Sequence, residues 1–348
     1  MIFSLDQFIR PNIKDLKPYT SARSEYTATA GIFLDANENP YGTYNRYPDP
    51  LQQQLKQAWA DIRDVATEKL IIGNGSDELI DLSFRIFCRP GLDKALVLEP
   101  TYGMYEVAAA LNEITLVKVP LNDTFQINTE ALQIAIQKEQ PRLLFLCSPN
   151  NPTGNCLEGM ETIIKNFNGI VILDEAYIDF ADSPSFITDI SKFPNLIVLQ
   201  TLSKAWGLAA ARIGIGCAAQ EIIALFNKVK PPYNVSTLNQ QAALAALSDR
   251  SAFEERKVII RQQRNRLEQQ LKRLPVVRKV YPSEANFLLV AFDNATDIYR
   301  KLVQRKIITR NRHTQINNCI RISIGRPEEN DMLIDALEQI ASFIPQKN

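Results

Sequence analysis

In Thr201-Leu-Ser-Lys204-Ala-Trp-Gly-Leu-Ala-Ala-Ala-Arg212, one lysine sits among hydroxyl side chains, with an arginine eight residues on and the apolar run Leu196-Ile-Val-Leu199 just before. A lysine amine can form a Schiff base with an aldehyde and, once displaced, act as a base toward a neighbouring carbon. A lysine taken at random is a solvated surface residue, but this setting favours the chemical role. Arg212 suits a surface ion pair when read alone. Beside Lys204 and the hydroxyls of Thr201 and Ser203, its planar fork of donors suits a phosphate.

Two upstream segments extend the set. Ser148-Pro-Asn-Asn151-Pro-Thr-Gly154 follows Leu143-Leu-Phe-Leu146, and Asp174-Glu-Ala-Tyr177 follows Ile170-Val-Ile-Leu173. Pyridoxal phosphate requires a Schiff-base lysine, an acid beside its ring nitrogen, donors for its phenolic oxygen and a phosphate cradle. Lys204, Asp174, and the pair Asn151 and Tyr177 are candidates for the first three. An isolated aspartate at a strand end more often caps a helix, and Asn-Pro-Thr-Gly alone reads as a turn.

For the phosphate, Ile72-Gly73-Asn-Gly75-Ser76-Asp77-Glu78 runs from an apolar stretch into a helical pattern, so amides at a helix start can face an anion. It matches neither a dinucleotide fingerprint nor a P-loop. Tyr102, in Glu99-Pro-Thr-Tyr102-Gly-Met-Tyr105, is a candidate to stack on the pyridine ring, whereas Tyr105 reads as packing.

The elements that must position these residues alternate from about residue 31 to 230. Apolar runs at 69–72, 95–98, 143–146, 170–173, 196–199 and 213–217 are interleaved with helical patterns such as 77–87 and 105–111. This alternation predicts an α/β fold with a mainly parallel sheet covered on both faces. Ligands of such sheets bind beyond the carboxyl ends of the strands, where Asn151, Asp174 and Lys204 fall. After Pro231-Pro232 come helical patterns at 236–247 and 251–274, a strand at 319–324 and an amphipathic stretch at 328–343, a second α+β unit.

Composition narrows the functional classes. Of 348 residues, 45% are hydrophobic and 22% charged, ordinary for a globular protein. With 39 basic and 39 acidic residues there is no footprint for nucleic acid or an anionic membrane, so local groups must hold any anion. The five cysteines include no C-x-x-C pair, which fits buried thiols better than disulfides or a metal site. With no signal-peptide pattern and no run long enough to span a bilayer, the cytoplasm is the expected location.

Taken together these segments resemble the fold-type I pyridoxal-phosphate aminotransferases over nearly the whole chain. A finer resemblance, to the histidinol-phosphate aminotransferase family, rests on Leu16-Lys-Pro-Tyr19-Thr-Ser-Ala-Arg23, Leu34-Asp-Ala-Asn37-Glu-Asn-Pro-Tyr-Gly42, Asn45-Arg-Tyr47-Pro-Asp49, Glu99 to Tyr105, and Cys319-Ile-Arg321-Ile-Ser-Ile-Gly325. The resemblance implies a large domain, residues 31–240, with a mainly parallel seven-stranded sheet. It also implies a smaller α+β C-terminal domain, 241–348, against which an N-terminal arm, 1–30, packs. Lys204 would be the catalytic residue. Gly75, Ser76, Asp77, Tyr102, Asn151, Asp174, Tyr177, Thr201, Ser203 and Arg212 would hold the cofactor. A homodimer would bring Tyr47 to the neighbouring subunit's cofactor phosphate. Arg321 would grip the substrate carboxylate, with Arg310, Tyr19 and Asn37 on the rest of the substrate.

The implied reaction is reversible transamination between histidinol phosphate and 2-oxoglutarate, giving imidazole-acetol phosphate and glutamate, with no metal, nucleic-acid or membrane partner. Related chemistry on an aromatic amino acid, or decarboxylation of threonine phosphate, uses the same motifs. A non-catalytic regulator of this fold would carry a basic DNA-binding module, and none is present. The single histidine, His313, reads as a surface residue, so no histidine-based acid/base scheme is available.

Overall fold

Strands without a polar alternation must be covered on both faces, and all six apolar runs lie side by side in one sheet. The computed structural model describes residues 3–19 and 31–342. Its larger sheet contains β1 (Leu70–Asn74), β2 (Lys94–Glu99), β3 (Thr115–Pro120), β4 (Leu143–Cys147), β5 (Ile170–Asp174), β6 (Leu196–Thr201) and β7 (Ile213–Ala218), in the order β1-β7-β6-β5-β4-β2-β3. Strand β7 runs antiparallel to β1 and β6, and every other pairing is parallel. Strand β3 was not among the apolar runs because it is an edge strand whose residues are mostly half-buried or exposed.

Side chains of successive strand residues point to opposite faces. Accordingly Leu70, Ile72, Leu144 and Leu146 enter one core, while Ile71, Leu143 and Phe145 enter another across the sheet. The helices of this part are α1 (Pro11–Lys14), α2 (Gln53–Arg63), α3 (Ser76–Phe87), α4 (Met104–Leu111), α5 (Thr129–Glu139), α6 (Met160–Asn166) and α7 (Gln220–Val229). Helix α3 buries Leu79, Ile80, Phe84 and Phe87 beneath the sheet and so fixes its N-terminus at the end of β1.

A second, fully antiparallel sheet has the order β10-β11-β9-β8, from β8 (Val277–Val280), β9 (Phe287–Phe292), β10 (Arg310–Asn311) and β11 (Cys319–Ser323). With it come α8 (Thr237–Ser248), α9 (Arg250–Leu271), α10 (Ala295–Gln304) and α11 (Pro327–Ser342). The larger sheet's core runs past residue 240, since Ala243, Leu247 and Phe253 pack into it. Helix α9 joins both cores, because its Leu267 and Leu271 pack under the smaller sheet.

The N-terminal arm differs from expectation. Phe8 and Ile13 pack beneath the larger sheet, Arg10 donates to the carbonyls of Arg85 and Ile86, and Arg142 donates to the Gln7 carbonyl. The apolar pair finds its burial there rather than on the smaller unit. Residues 20–30 of the expected arm, including Arg23, lie outside the described residues. Among the described residues no helix is long and apolar enough to cross a membrane.

Leu144, fully buried on a central strand, tests this core. Leu144→Ala is expected to lower unfolding stability by about 2–5 kcal/mol in urea titration, from lost transfer energy and the cavity left behind.

Candidate active site

The carboxyl ends of β1, β2, β4, β5 and β6 share one edge of the larger sheet, and the start of the reversed β7 joins them. Beyond that edge lies a cleft of about 360 Å³, closed on its other side by the smaller sheet. Lys204, three residues past β6, lines it with Asp174, the last residue of β5. Asn151 and Tyr177 line it from the turns after β4 and β5, and Tyr102 from the turn after β2.

Asp174 is 3% exposed. Its Oδ1 accepts the Ala176 amide at 3.0 Å, and its Oδ2 accepts the Tyr105 hydroxyl at 2.7 Å. The first bond closes an Asx turn just past the strand, and no helix is capped by it. Burial pushes the carboxyl upward, while those two donors and the nearby Lys204 act against it. Lys204 is held below the usual lysine range, chiefly by burial and next by the positive charge of Arg321, with Asp174 opposing. Its Nζ lies 5.5 Å from the centre of the Tyr177 ring. Burial pushes the Tyr177 phenol well above its ordinary range, so it remains a hydrogen-bond donor at neutral pH.

The cradle forms where β1 passes β7. Gly75 has φ +79°, its amide donates to the Arg212 carbonyl at 2.8 Å, and a Cβ at Gly75 would stand 2.5 Å from Arg212 Nη2. The positive φ favours glycine, and any side chain there would push the Arg212 guanidinium aside. Ser76 and Asp77, in the first turn of the 12-residue α3, line the cleft with Thr201, Ser203 and Arg212. The first N–H groups of a helix lack intrahelical acceptors and favour an anion. Thr201 Oγ1 accepts the Ser203 amide at 3.1 Å, which shapes the loop before Lys204. The ion pair that Arg212 suits when read alone is also present, since its Nη2 lies 3.4 Å from Asp77 Oδ2. Tyr102 donates to the other oxygen of Asp77 at 3.1 Å.

Arg321 on β11 faces Arg310 on β10 directly across the strand pair, and Arg312 follows two residues later. All three line the cleft. Arg321 Nη1 donates to Asn151 Oδ1 at 2.5 Å and Arg312 Nη1 to Gln315 Oε1 at 3.1 Å, while Nε of both is buried without a partner. Among the described residues no carboxylate pairs with any of the three. Like charges directly opposite on a strand pair repel, so this arrangement is suited to an anion that enters between them. Burial, with Arg321 and Arg310 nearby, pulls Arg312 down to about 10, still charged at neutral pH.

The remaining expected residues lie elsewhere in the chain. Tyr19 is 74% exposed and does not line this cleft. Asn37 and Tyr47 line a separate cleft, where Tyr47 stacks on Tyr233 at 4.5 Å. The sequence reading missed Arg312 and the hydroxyl of Tyr105. Arg312 had a usable signal in its two-residue spacing from Arg310, which places both on one face of an extended segment. Tyr105 is 1% exposed, and a buried phenol needs a hydrogen-bond partner where a phenylalanine would need none. Four cysteines are buried and Cys156 is half-buried, all five as free thiols, and His313 is exposed.

A lysine and a buried carboxylate share one wall of a cleft at the carboxyl edge of this sheet, and the chain belongs to the family described as aminotransferase class I and II, whose model matches residues 27–337. Within it, the chain is 48% identical over 347 residues to histidinol-phosphate aminotransferase of Cytophaga hutchinsonii, covering 97% of this chain and 99% of that one. It is 49% identical over 341 residues to the enzyme of the same name from Parabacteroides distasonis, with 97% and 99% covered. Histidinol-phosphate aminotransferase from Sinorhizobium meliloti, solved in complex with pyridoxal-5'-phosphate, superposes with a TM-score of 0.77 at 28% identity, over 88% of this chain and 89% of that one.

Gly75→Ala is expected to displace the Arg212 guanidinium and weaken binding of inorganic phosphate at least about tenfold in calorimetry. The melting temperature should fall as well, since a side chain at this φ costs about 1–3 kcal/mol.

Proposed function

We propose that this chain transfers the amino group of glutamate to imidazole-acetol phosphate, reversibly forming histidinol phosphate and 2-oxoglutarate, with pyridoxal phosphate as cofactor. The observation that carries this reading is one cleft that holds a lysine of lowered pKa, a buried carboxylate and three arginines that no carboxylate among the described residues neutralises. The relatives that match nearly end to end share the name that this reading supplies.

The donor set fits the cofactor. Arg212, Thr201, Ser203 and the start of α3 would hold its phosphate, Asp174 its ring nitrogen, and Asn151 and Tyr177 its phenolic oxygen, with Tyr102 against the ring. Among the described residues no hydrogen bond engages the Asn151 Nδ2 donor, while Arg321 donates to its Oδ1. When bound, pyridoxal phosphate supplies an aldehyde for the amino group and a ring that draws electrons from the substrate's α-carbon. Lys204 Nζ would take the proton from that carbon and return it on the other side of the transfer. Asp174, as a carboxylate, would keep the ring nitrogen protonated.

Arg321 would bind the carboxylate of glutamate, with a bidentate fork suited to it. Arg310 and Arg312 would take the more distant anion, the phosphate of one substrate or the second carboxylate of the other. Because the donors and the lysine all come from one side of the cleft and the arginines from the other, a substrate bridging the two would exclude water from the reacting carbon.

We further propose a cytoplasmic homodimer. Ile32, Leu34 and Tyr41 are 91%, 89% and 83% exposed, apolar surface that a second copy would cover. Asn37 and Tyr47 lie on this same segment. Tyr47 would reach the neighbouring cofactor phosphate, and Tyr19 would close over the substrate.

Mixing the cofactor-loaded protein with histidinol phosphate alone, with no keto acid, should change the cofactor's absorbance promptly, whereas phenylalanine and threonine phosphate should not. A response chiefly to phenylalanine would indicate an aromatic aminotransferase, and carbon dioxide from threonine phosphate a decarboxylase. Arg312→Gln should lower kcat/KM for histidinol phosphate by about 10- to 100-fold, the value of one charge-assisted hydrogen bond.

Lys204 also predicts a pH dependence. Its lowered pKa leaves the free amine present at lower pH than for an ordinary lysine. The rate at which the cofactor-free protein takes up pyridoxal phosphate should therefore rise with pH and level off below the usual lysine value of 10.5. Arg321→Gln removes a positive neighbour, so stopped-flow measurements should show that plateau moved to higher pH.

A further inference from the structure

The Tyr105 hydroxyl stands where a packing residue needs no polar atom. Helix α4 carries its ring against Phe145, stacked at 4.8 Å and 25°, and edge-on to Tyr102 at 5.6 Å. Those contacts would be made equally by phenylalanine. The hydroxyl instead ends 2.7 Å from Asp174 Oδ2, a bond across 69 residues of chain between two side chains that are 1% and 3% exposed.

Asp174 has few other means of remaining a carboxylate. Its Oδ1 is satisfied by the Ala176 amide, and besides Tyr105 the charges and phenols around it are Asp77 from α3, Tyr102, Tyr177 and Lys204 from loops, and the Cys147 thiol at the end of β4. Asp77 acts against ionisation by like charge, whereas Lys204 favours it. Of the groups that touch the carboxylate, Tyr105 is the side-chain donor, and burial holds its phenol well above the ordinary range, so its proton stays on oxygen. Hydrogen bonds to an ionised carboxylate are about twice as strong as neutral ones.

We propose that Tyr105 is a positioning residue which, through its hydroxyl, keeps Asp174 ionised and aimed into the cleft, and thereby sets the protonation of the cofactor's ring nitrogen. This rests on the reading of Asp174 as that nitrogen's partner. Tyr105 touches neither cofactor nor substrate in this arrangement. Loss of its O–H would leave a buried carboxylate short of one donor and drive it toward the neutral acid, which no longer favours a protonated nitrogen.

The test uses the cofactor-loaded protein with pyridoxal phosphate labelled with 15N at the ring nitrogen, comparing the parent with Tyr105→Phe, Asp174→Asn and the double variant. The 15N shift of Tyr105→Phe should move from the protonated toward the neutral range in the same sense as Asp174→Asn, and the amino-transfer half-reaction should slow roughly 10- to 100-fold. In the Asp174→Asn background, adding Tyr105→Phe should change neither quantity further. An unmoved 15N shift in Tyr105→Phe, with Asp174→Asn shifted, would overturn the proposal for Tyr105 alone, as would full additivity in the double variant. An unmoved shift in Asp174→Asn would instead overturn the assignment of Asp174. If Tyr105→Phe fails to fold, 3,5-difluorotyrosine at position 105 retains the ring and donates more strongly from a more acidic phenol. The pH at which the 15N shift reports loss of the ring proton should then rise, and an unchanged midpoint would reject the proposal.

Discussion

A carboxylate held out of water at the end of a central strand is the constraint on which the rest of this structure depends. Burying an isolated carboxylate costs several kcal/mol, and proteins accept that cost only where donors and an opposite charge offset it. Asp174 ends β5, the fourth strand in the sheet order, so neighbouring strands cover it on both sides. The amide of Ala176, the hydroxyl of Tyr105 and the amine of Lys204 arrive from three separate segments. Shifting any of β4, β5 or β6 by one residue would exchange the faces of its side chains and separate these groups.

The opposite wall has the reverse problem. Arg310 and Arg321 face one another across two antiparallel strands, and Arg312 adds a third charge without a carboxylate partner among the described residues. In water such repulsion would be screened, but burial lowers the pKa of both Arg321 and Arg312, which marks the cost of confining their charge. The two walls are joined at the cleft, where Tyr177 packs edge-on against Phe287 of β9 at 5.1 Å. Arg321 donates to Asn151, and the Glu284 amide donates to the Gly154 carbonyl at 2.7 Å. In the proposed reaction the positive charge would serve recognition of an anion, and the donor-rich carboxylate wall would serve the chemistry.

Polar clusters beneath the cleft hold its loops. Glu175, next to Asp174 and fully buried, accepts the Phe186 amide at 2.8 Å and the Gln200 side-chain amide at 2.8 Å. The Asn234 side chain donates to the Ile72 carbonyl at 3.0 Å and to Glu78 at 2.7 Å, tying the chain after α7 to the end of β1. Neither pair faces the cleft, and each anchors a segment that does.

The sequence by itself determined the strand runs at 143–146, 170–173 and 196–199, because strands covered on both faces must be continuously apolar, and it placed Asn151, Asp174 and Lys204 just beyond them. Edge strand β3 escaped notice because half-exposure removes that signal, and Phe8 and Ile13 gave no indication of which core they would join. Only the tertiary structure decided that a tyrosine read as packing bonds the central carboxylate and that a third arginine enters the cleft. The bonds from Tyr105 to Asp174 and from Arg321 to Asn151 join residues 69 and 170 positions apart. Periodicity records which face of an element is buried; strand order and the meeting of two sheets record which distant residues that face will touch.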